Sequence, residues 1–138
     1  MIVVDTNVIA YLHISGKSTP LALLLLKRDP YWIAPPLWQS EFRNVLVNYV
    51  RHDVMTLDLA TELMQEALST MQDREIAPSS EVVLALATNS KCSSYDCEFV
   101  ALAEETKSNL VTADKQIVSN FPGTAFLLEE FVKRNSYD

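Results

Sequence analysis

A chain of 138 residues and 15.5 kDa has the length of one domain, long enough to bury roughly two-thirds of the surface its unfolded form would expose. With 49% hydrophobic and 21% charged residues it has the balance of an ordinary globular protein, which excludes the disordered and fibrous classes. A net charge of -7 and a pI near 4.7 exclude a protein that grips nucleic acid through a broad basic surface, yet leave room for an acidic site that carries cations.

The sequence begins with Ile2, Val3 and Val4, a β-branched run that reads as a buried strand ended by Asp5, and either Asp5 or Thr6 can cap a helix over residues 7–13. This start lacks the basic leader, long apolar region and small-residue cleavage site of a secretory signal, so a cytoplasmic protein is expected. Ser18, Thr19 and Pro20 predict the cap and first turn of a helix to about residue 27, which Asp29 and Pro30 stop. Its leucine-rich run, residues 21–26, falls far short of the roughly 20 residues of a membrane-spanning helix, so no membrane association is expected. Residues 31–34 read as a second strand. Pro35 and Pro36 divide it from a helix over 37–51, whose buried stripe is predicted to be Trp38, Phe42, Val45 and Tyr49. Glu41 sits at the edge of that stripe, beside the polar seam of Asn44 and Asn48.

Thr56 or Asp58 starts an amphipathic helix to about residue 71, with Leu59, Leu63, Ala67 and Met71 in one row. Residues 75–78 read as a short strand, Ser79 or Ser80 caps a helix over 81–88, and residues 89–94 form a polar loop. Cys92 in that loop and Cys97 beyond it lack zinc-ligand spacing, so both are expected to be free thiols. A helix follows from Tyr95 or Asp96 to about residue 107, with Phe99, Val100, Leu102 and Ala103 facing inward and Asp96 in its first turn. Residues 109–114 give a strand ending in an acid. After it come a short helix to about residue 120, the turn Pro122-Gly123, a last strand over 125–128 and a helical segment over 129–134. Strands alternating with helices predict an α/β three-layer sandwich, with a mainly parallel central sheet flanked by helices, in one domain spanning residues 1–138. Ligands of such sheets bind beyond the carboxyl ends of the strands.

Four acids fall where a site of this fold class forms: Asp5, Glu41, Asp96 and Asp114. Asp5 and Asp114 can equally be helix caps, and Asp96 a favourable charge at a helix N-terminus. Ser93 and Ser94, however, offer caps of their own and leave the Asp96 side chain for other work. Glu41 has no basic residue three or four positions away, and a carboxylate beside an apolar face needs a partner, because burying it unpaired costs several kcal/mol. A hard cation such as Mg²⁺ or Mn²⁺ takes oxygen ligands and relieves the repulsion among clustered acids. It also activates water and stabilises charge on a phosphodiester. Other catalytic signatures are missing: Gly16 and Gly123 are the only glycines, so there is no phosphate-binding loop or nucleophile elbow. His13 and His52 lie on predicted helices without a Ser or Cys partner and read as helix-end or surface residues.

Four stretches in order, MIVVDTNVIAYL at the start, Pro36 through Glu41 to Asn44-Val45-Leu46, SSYDCEFVALAEE around Asp96 and LVTADKQI around Asp114, make the chain similar to the PIN-domain ribonucleases. Among these it resembles the VapC-like toxins of type II toxin–antitoxin pairs. The resemblance implies a PIN-like sandwich that hydrolyses RNA with Mg²⁺ or Mn²⁺, forms homodimers and is held inactive by an antitoxin protein. It implies Asp5 and Asp96 as principal metal ligands, with Glu41 and Asp114 completing the pocket, partly through metal-bound waters. It further implies Thr112 as the hydroxyl that supports the first aspartate and Asn7 as a residue that orients it. Arg43, Lys91 and Lys115 are the basic residues nearest the acidic motifs in sequence. Two other readings stand beside this one. One is a non-catalytic module that binds protein or RNA, its acids serving as caps. The other is a haloacid-dehalogenase-like phosphatase using Asp5 as nucleophile, although Asn7 stands where that motif has a second Asp.

Overall fold

In a computed structural model, residues 1–134 are described. Four short parallel strands form the central sheet: β1 (Ile2–Val4), β2 (Trp32–Ile33), β3 (Leu110–Thr112) and β4 (Ala125–Leu127), in the order β2-β1-β3-β4. Val3 and Val4 are fully buried and pair with Leu110 and Val111, so the two central strands are apolar where they pair, as a sheet covered on both sides requires, and the one polar residue, Thr112, ends β3. The predicted second strand is shorter than expected. Ala34, its last residue, makes only an isolated parallel bridge to Glu75, and that bridge is all that remains of the strand predicted over 75–78.

Every parallel connection passes through helices. α1 (Thr6–His13) and α2 (Thr19–Arg28) join β1 to β2, and α7 (Lys115–Asn120) joins β3 to β4. The long crossover from β2 to β3 holds α3 (Leu37–Arg51), α4 (Leu57–Thr70), α5 (Ser80–Thr88) and α6 (Ser94–Thr106), and α8 (Leu128–Arg134) closes the described chain. Right-handed crossovers of this order put α1 and α2 on one face of the sheet and α6 and α7 on the other. The packing agrees: α1 meets α2 and β3, α2 meets α8, and α6 lies on β1 and β3. This is the three-layer α/β sandwich expected from the alternation of elements.

The core joins Ile9, Leu25, Trp32, Trp38, Phe42 and Phe99, each essentially inaccessible. On α3 the buried stripe is Trp38, Phe42 and Leu46, while Val45 is half-buried and Tyr49 is 37% exposed. The stripe therefore continues from Phe42 by a step of four, not by the predicted step of three, and turns Tyr49 outward. On α4 the row is Ala60, Ala67 and Met71; Leu59 is exposed because Ala60, the next residue round the helix, takes the inward position. On α6 the predicted inward residues are all buried, with Cys97 and Ala101 beside them. Among the described residues no helix is long and apolar enough to cross a membrane.

The strand order fixes where a ligand can sit. From β1 the chain turns to one side of the sheet to reach β2, and from β3 it turns to the other side to reach β4. The loops leaving these neighbouring strands diverge, and the crevice between their carboxyl ends is the switch point at which open α/β sheets bind ligands. Asp5 follows β1 directly, and Asp114 follows β3 by two residues.

Candidate metal centre

Asp5 is only 8% exposed, and three donors hold it. Its Oδ1 accepts from the Thr6 amide at 2.8 Å, and its Oδ2 accepts from the Thr112 hydroxyl at 2.7 Å and from Asn7 Nδ2 at 3.3 Å. The Asn7 carbonyl oxygen in turn accepts from the Ala113 amide at 3.1 Å, and Thr112 Oγ1 accepts from the Asp114 amide at 3.0 Å. Thr112 and Asn7 thus lace the end of β1 to the end of β3. An ionised carboxylate offers about four lone-pair sites, so three donors leave the Oδ1 side of Asp5 with capacity for one more partner.

Glu41 reaches the same place from α3. Its Oε1 accepts a 2.7 Å hydrogen bond from the Thr6 hydroxyl, on the residue next to Asp5. The sequence alone suggests a cation or a metal as the partner Glu41 needs, and Thr6 is a third answer. Residues 35 positions apart carry no local signal of such a contact. Asp96 stands in the first turn of α6, whose cap is the Ser93 oxygen accepting from the Asp96 amide at 3.1 Å. Ser93 thus caps the helix as expected, yet the Asp96 carboxylate is not wholly released, because hydrogen bonds with Ser93 also lower its pKa. Asp114 caps α7: its Oδ1 accepts from the Gln116 amide at 2.8 Å and the Ile117 amide at 3.3 Å.

Electrostatics tie these acids together. Burial raises the Asp5 pKa to about 6, against the hydrogen bonds from Thr112 and Thr6, and the charges of Glu41 and Asp96 push it further up. Glu41 is raised by burial and then by Asp96 and Glu98, while the Thr6 bond opposes them. Asp96 is raised by burial and by Asp114. Asp5 and Glu41 therefore both feel Asp96, and Asp96 feels Asp114. No Lys or Arg contributes to any of these three shifts. Glu98 is an addition that the sequence did not single out, since its place two residues after Asp96 on a helix does not suggest a common side.

Among the described residues, no three His, Cys, Asp or Glu side chains converge as a finished metal cage. A hard cation such as Mg²⁺ needs only one or two carboxylates, completing its shell with water and substrate oxygens. The donor set is all oxygen, anionic and short of counter-charge, which fits Mg²⁺ or Mn²⁺ and does not fit a soft metal. Cys92 and Cys97 are free and buried, and burial raises both thiols, which removes them from ligand duty.

Of the basic residues expected near the site, Arg43 lines a groove between α3 and α4, and Lys91 and Lys115 are exposed. His13 ends α1 as expected but is largely covered, its ring 6.4 Å from that of Phe42, and burial lowers its pKa.

The PIN domain model matches residues 2–121, which includes all four acids. This chain belongs to the PIN-domain family. Among curated proteins it is similar to Ribonuclease VapC3 of Pyrobaculum aerophilum, 27% identical over 124 residues that cover 88% of this chain and 95% of the relative. Among solved structures it resembles PAE2754 from the same organism, with a TM-score of 0.77 and 20% identity over 99% of this chain and 89% of the other. It also resembles FitAcB from Neisseria gonorrhoeae, with a TM-score of 0.71 and 15% identity over 94% of this chain and 99% of the other. At these identities the two structures speak for the PIN fold, and the family model carries the membership.

Proposed function

We propose that this PIN protein is an endoribonuclease that hydrolyses RNA phosphodiester bonds at a four-carboxylate Mg²⁺ or Mn²⁺ site within a single domain of residues 1–138. The observation that carries the reading is the coupled, cation-free set of Asp5, Glu41, Asp96 and Asp114 at the switch point of the sheet. The 27% identity to a VapC ribonuclease along nearly its whole length points to the same chemistry. Asp5 and Asp96 are the principal ligands in this reading. Glu41 and Asp114 complete the pocket, and Thr112 and Asn7 keep the Asp5 carboxylate in one orientation. The cation supplies an activated water and stabilises the charge that develops on the phosphodiester. The chain's own part is to hold the donors rigidly and to present anionic oxygens whose partners are neutral donors rather than a Lys or Arg.

The VapC-like resemblance extends the proposal to a toxin that acts in the cytoplasm as a homodimer and is restrained by a cognate antitoxin. Purified protein incubated with structured RNAs should cleave with Mg²⁺ or Mn²⁺, and should fail with chelator or as the Asp96→Asn variant. Cleavage indifferent to both would refute the reading. A second reading has one observation in its favour: Asp5 and Asp114 do cap α1 and α7. If the acids served only as caps and first-turn charges of their helices, Asp5→Asn and Asp96→Asn would leave both metal binding and growth arrest on expression unchanged.

A further inference from the structure

A cleft of about 450 Å³ opens beside the acids, between α1, the loop over residues 15–18 and α3. Its lining includes Asn7, which hydrogen-bonds Asp5, together with Tyr11, Ile14, Lys17, Val45 and Tyr49. The volume lies within the range of small-molecule sites. Val45 and Tyr49 also line an adjoining cleft of about 420 Å³ with His52, so the trough continues along α3 away from the acids. We propose that this cleft is a base-binding subsite for single-stranded RNA, in which Tyr11 and Tyr49 contact a nucleobase and Lys17 its phosphate. The inference rests on the nuclease reading above and names where the nucleotide next to the cleaved bond sits.

Three observations support it. Tyr49 lies on α3, where the helical period offers a place in the core, yet it is 37% exposed and faces this trough. An aromatic ring at the mouth of a groove is a sequence-tolerant platform for a base, since every base has a π-face. Lys17 is a cation in the wall of a cleft on a chain of net charge -7, and no ion pair among the described residues occupies it. The loop that carries Lys17 is already shaped: Thr19 Oγ1 accepts from the Gly16 amide at 3.0 Å and donates to the Tyr11 carbonyl at 2.7 Å. A preformed wall of this kind binds without the cost of ordering it first. Asn7, Ser15, Lys17 and Ser18 add polar groups to a largely apolar lining, so the cleft offers contacts to both the face of a base and its phosphate.

The test has two arms. In the first, a fluorescein-labelled single-stranded RNA octamer of mixed sequence is cleaved with Mn²⁺ by the wild type and by Tyr49→Ala, Tyr49→Phe and Lys17→Ala, each first checked for an unchanged melting curve. Loss of one stacking platform is expected to raise KM about tenfold for Tyr49→Ala with kcat nearly constant, while Tyr49→Phe stays close to the wild type. Lys17→Ala should raise KM by a smaller factor. In the second arm, AMP and UMP are titrated into metal-free wild-type protein while tyrosine ring protons are followed by NMR. Shifts confined to Tyr11 and Tyr49 support the subsite, even if the wild type cleaves no RNA and the nuclease reading has failed. Unchanged KM in an actively cleaving Tyr49→Ala, or absence of nucleotide-induced shifts, overturns the subsite and leaves the nuclease reading standing. A Tyr49→Ala variant that keeps its KM but loses binding to an antitoxin assigns the cleft to a protein partner and likewise overturns it.

Discussion

Thr112 donates to Asp5 Oδ2 from a position with no exposure at all, so its hydroxyl has no water to turn to. Thr112→Val keeps the shape and removes the donor. It should lower stability by about 1–3 kcal/mol in urea unfolding, because the Asp114 amide loses its acceptor and Asp5 Oδ2 keeps only the longer bond from Asn7. Because the Thr112 bond is the leading influence that lowers the Asp5 pKa, the same variant should also shift the acid limb of a pH–rate profile upward. The sign of the pH effect on folding follows from Asp5 itself. Its folded pKa of about 6 lies above the ordinary 3.8, so the folded protein binds this proton more tightly than the unfolded one. That contribution to stability is present below the ordinary pKa and is lost as pH rises through 6. Glu41 and Asp96 act in the same direction. His13, lowered by burial, acts oppositely, but it does so with or without metal. The increase in Tm produced by saturating Mg²⁺ should therefore grow between pH 5 and pH 7.5 in paired thermal melts, and a constant increment would contradict the coupled-acid site.

At the scale of elements, α6 brings Asp96 to the site and Ser93 sets where α6 begins. Ser93→Ala removes the cap and should cost about 1 kcal/mol by chemical denaturation. It should also raise the Asp96 pKa, whose lowering influences both come from Ser93, and so weaken Mn²⁺ affinity near pH 6 more than near pH 8 by calorimetric titration. Much of this arrangement was legible in the sequence, because its signals are local. The β-branched run before Asp5, the prolines before α3 and the serines before α6 fixed the ends of elements, and the acids were placed by those ends. Two kinds of information were not legible. Contacts such as Thr6 with Glu41 depend on how α3 docks against α1, and no spacing within either helix reports it. The inward stripe of α3 was ambiguous because Val45 and Leu46 both continue a 3.6-residue period from Phe42; only the packing of α1 and α4 selects Leu46. The same ambiguity hid Tyr49 among the core aromatics.

Among the described residues the charge is lopsided in kind: Asp5, Glu41, Asp96 and Asp114 influence one another at the crevice with no Lys or Arg contributing. A protein that meets RNA through a metal site and few cations releases few counterions, and for single strands the slope of log affinity against log salt is about -0.7 per neutralised phosphate. Binding of a single-stranded octamer in the presence of Mn²⁺ should accordingly weaken less than tenfold between 50 and 200 mM salt in a fluorescence titration, whereas a protein with a basic docking face loses about 10³ or more. The sheet order adds a consequence in time. The strand that leads into Asp5 finds its central partner, β3, only after more than a hundred further residues, as the 107-residue separation of the Thr112 to Asp5 hydrogen bond records. Such long-range pairing forms late, because closing the loop must precede the contacts that reward it. A chain still emerging from the ribosome thus carries its acids far apart, and the cell that makes this protein meets an assembled acidic crevice only after the chain has been made through Asp114.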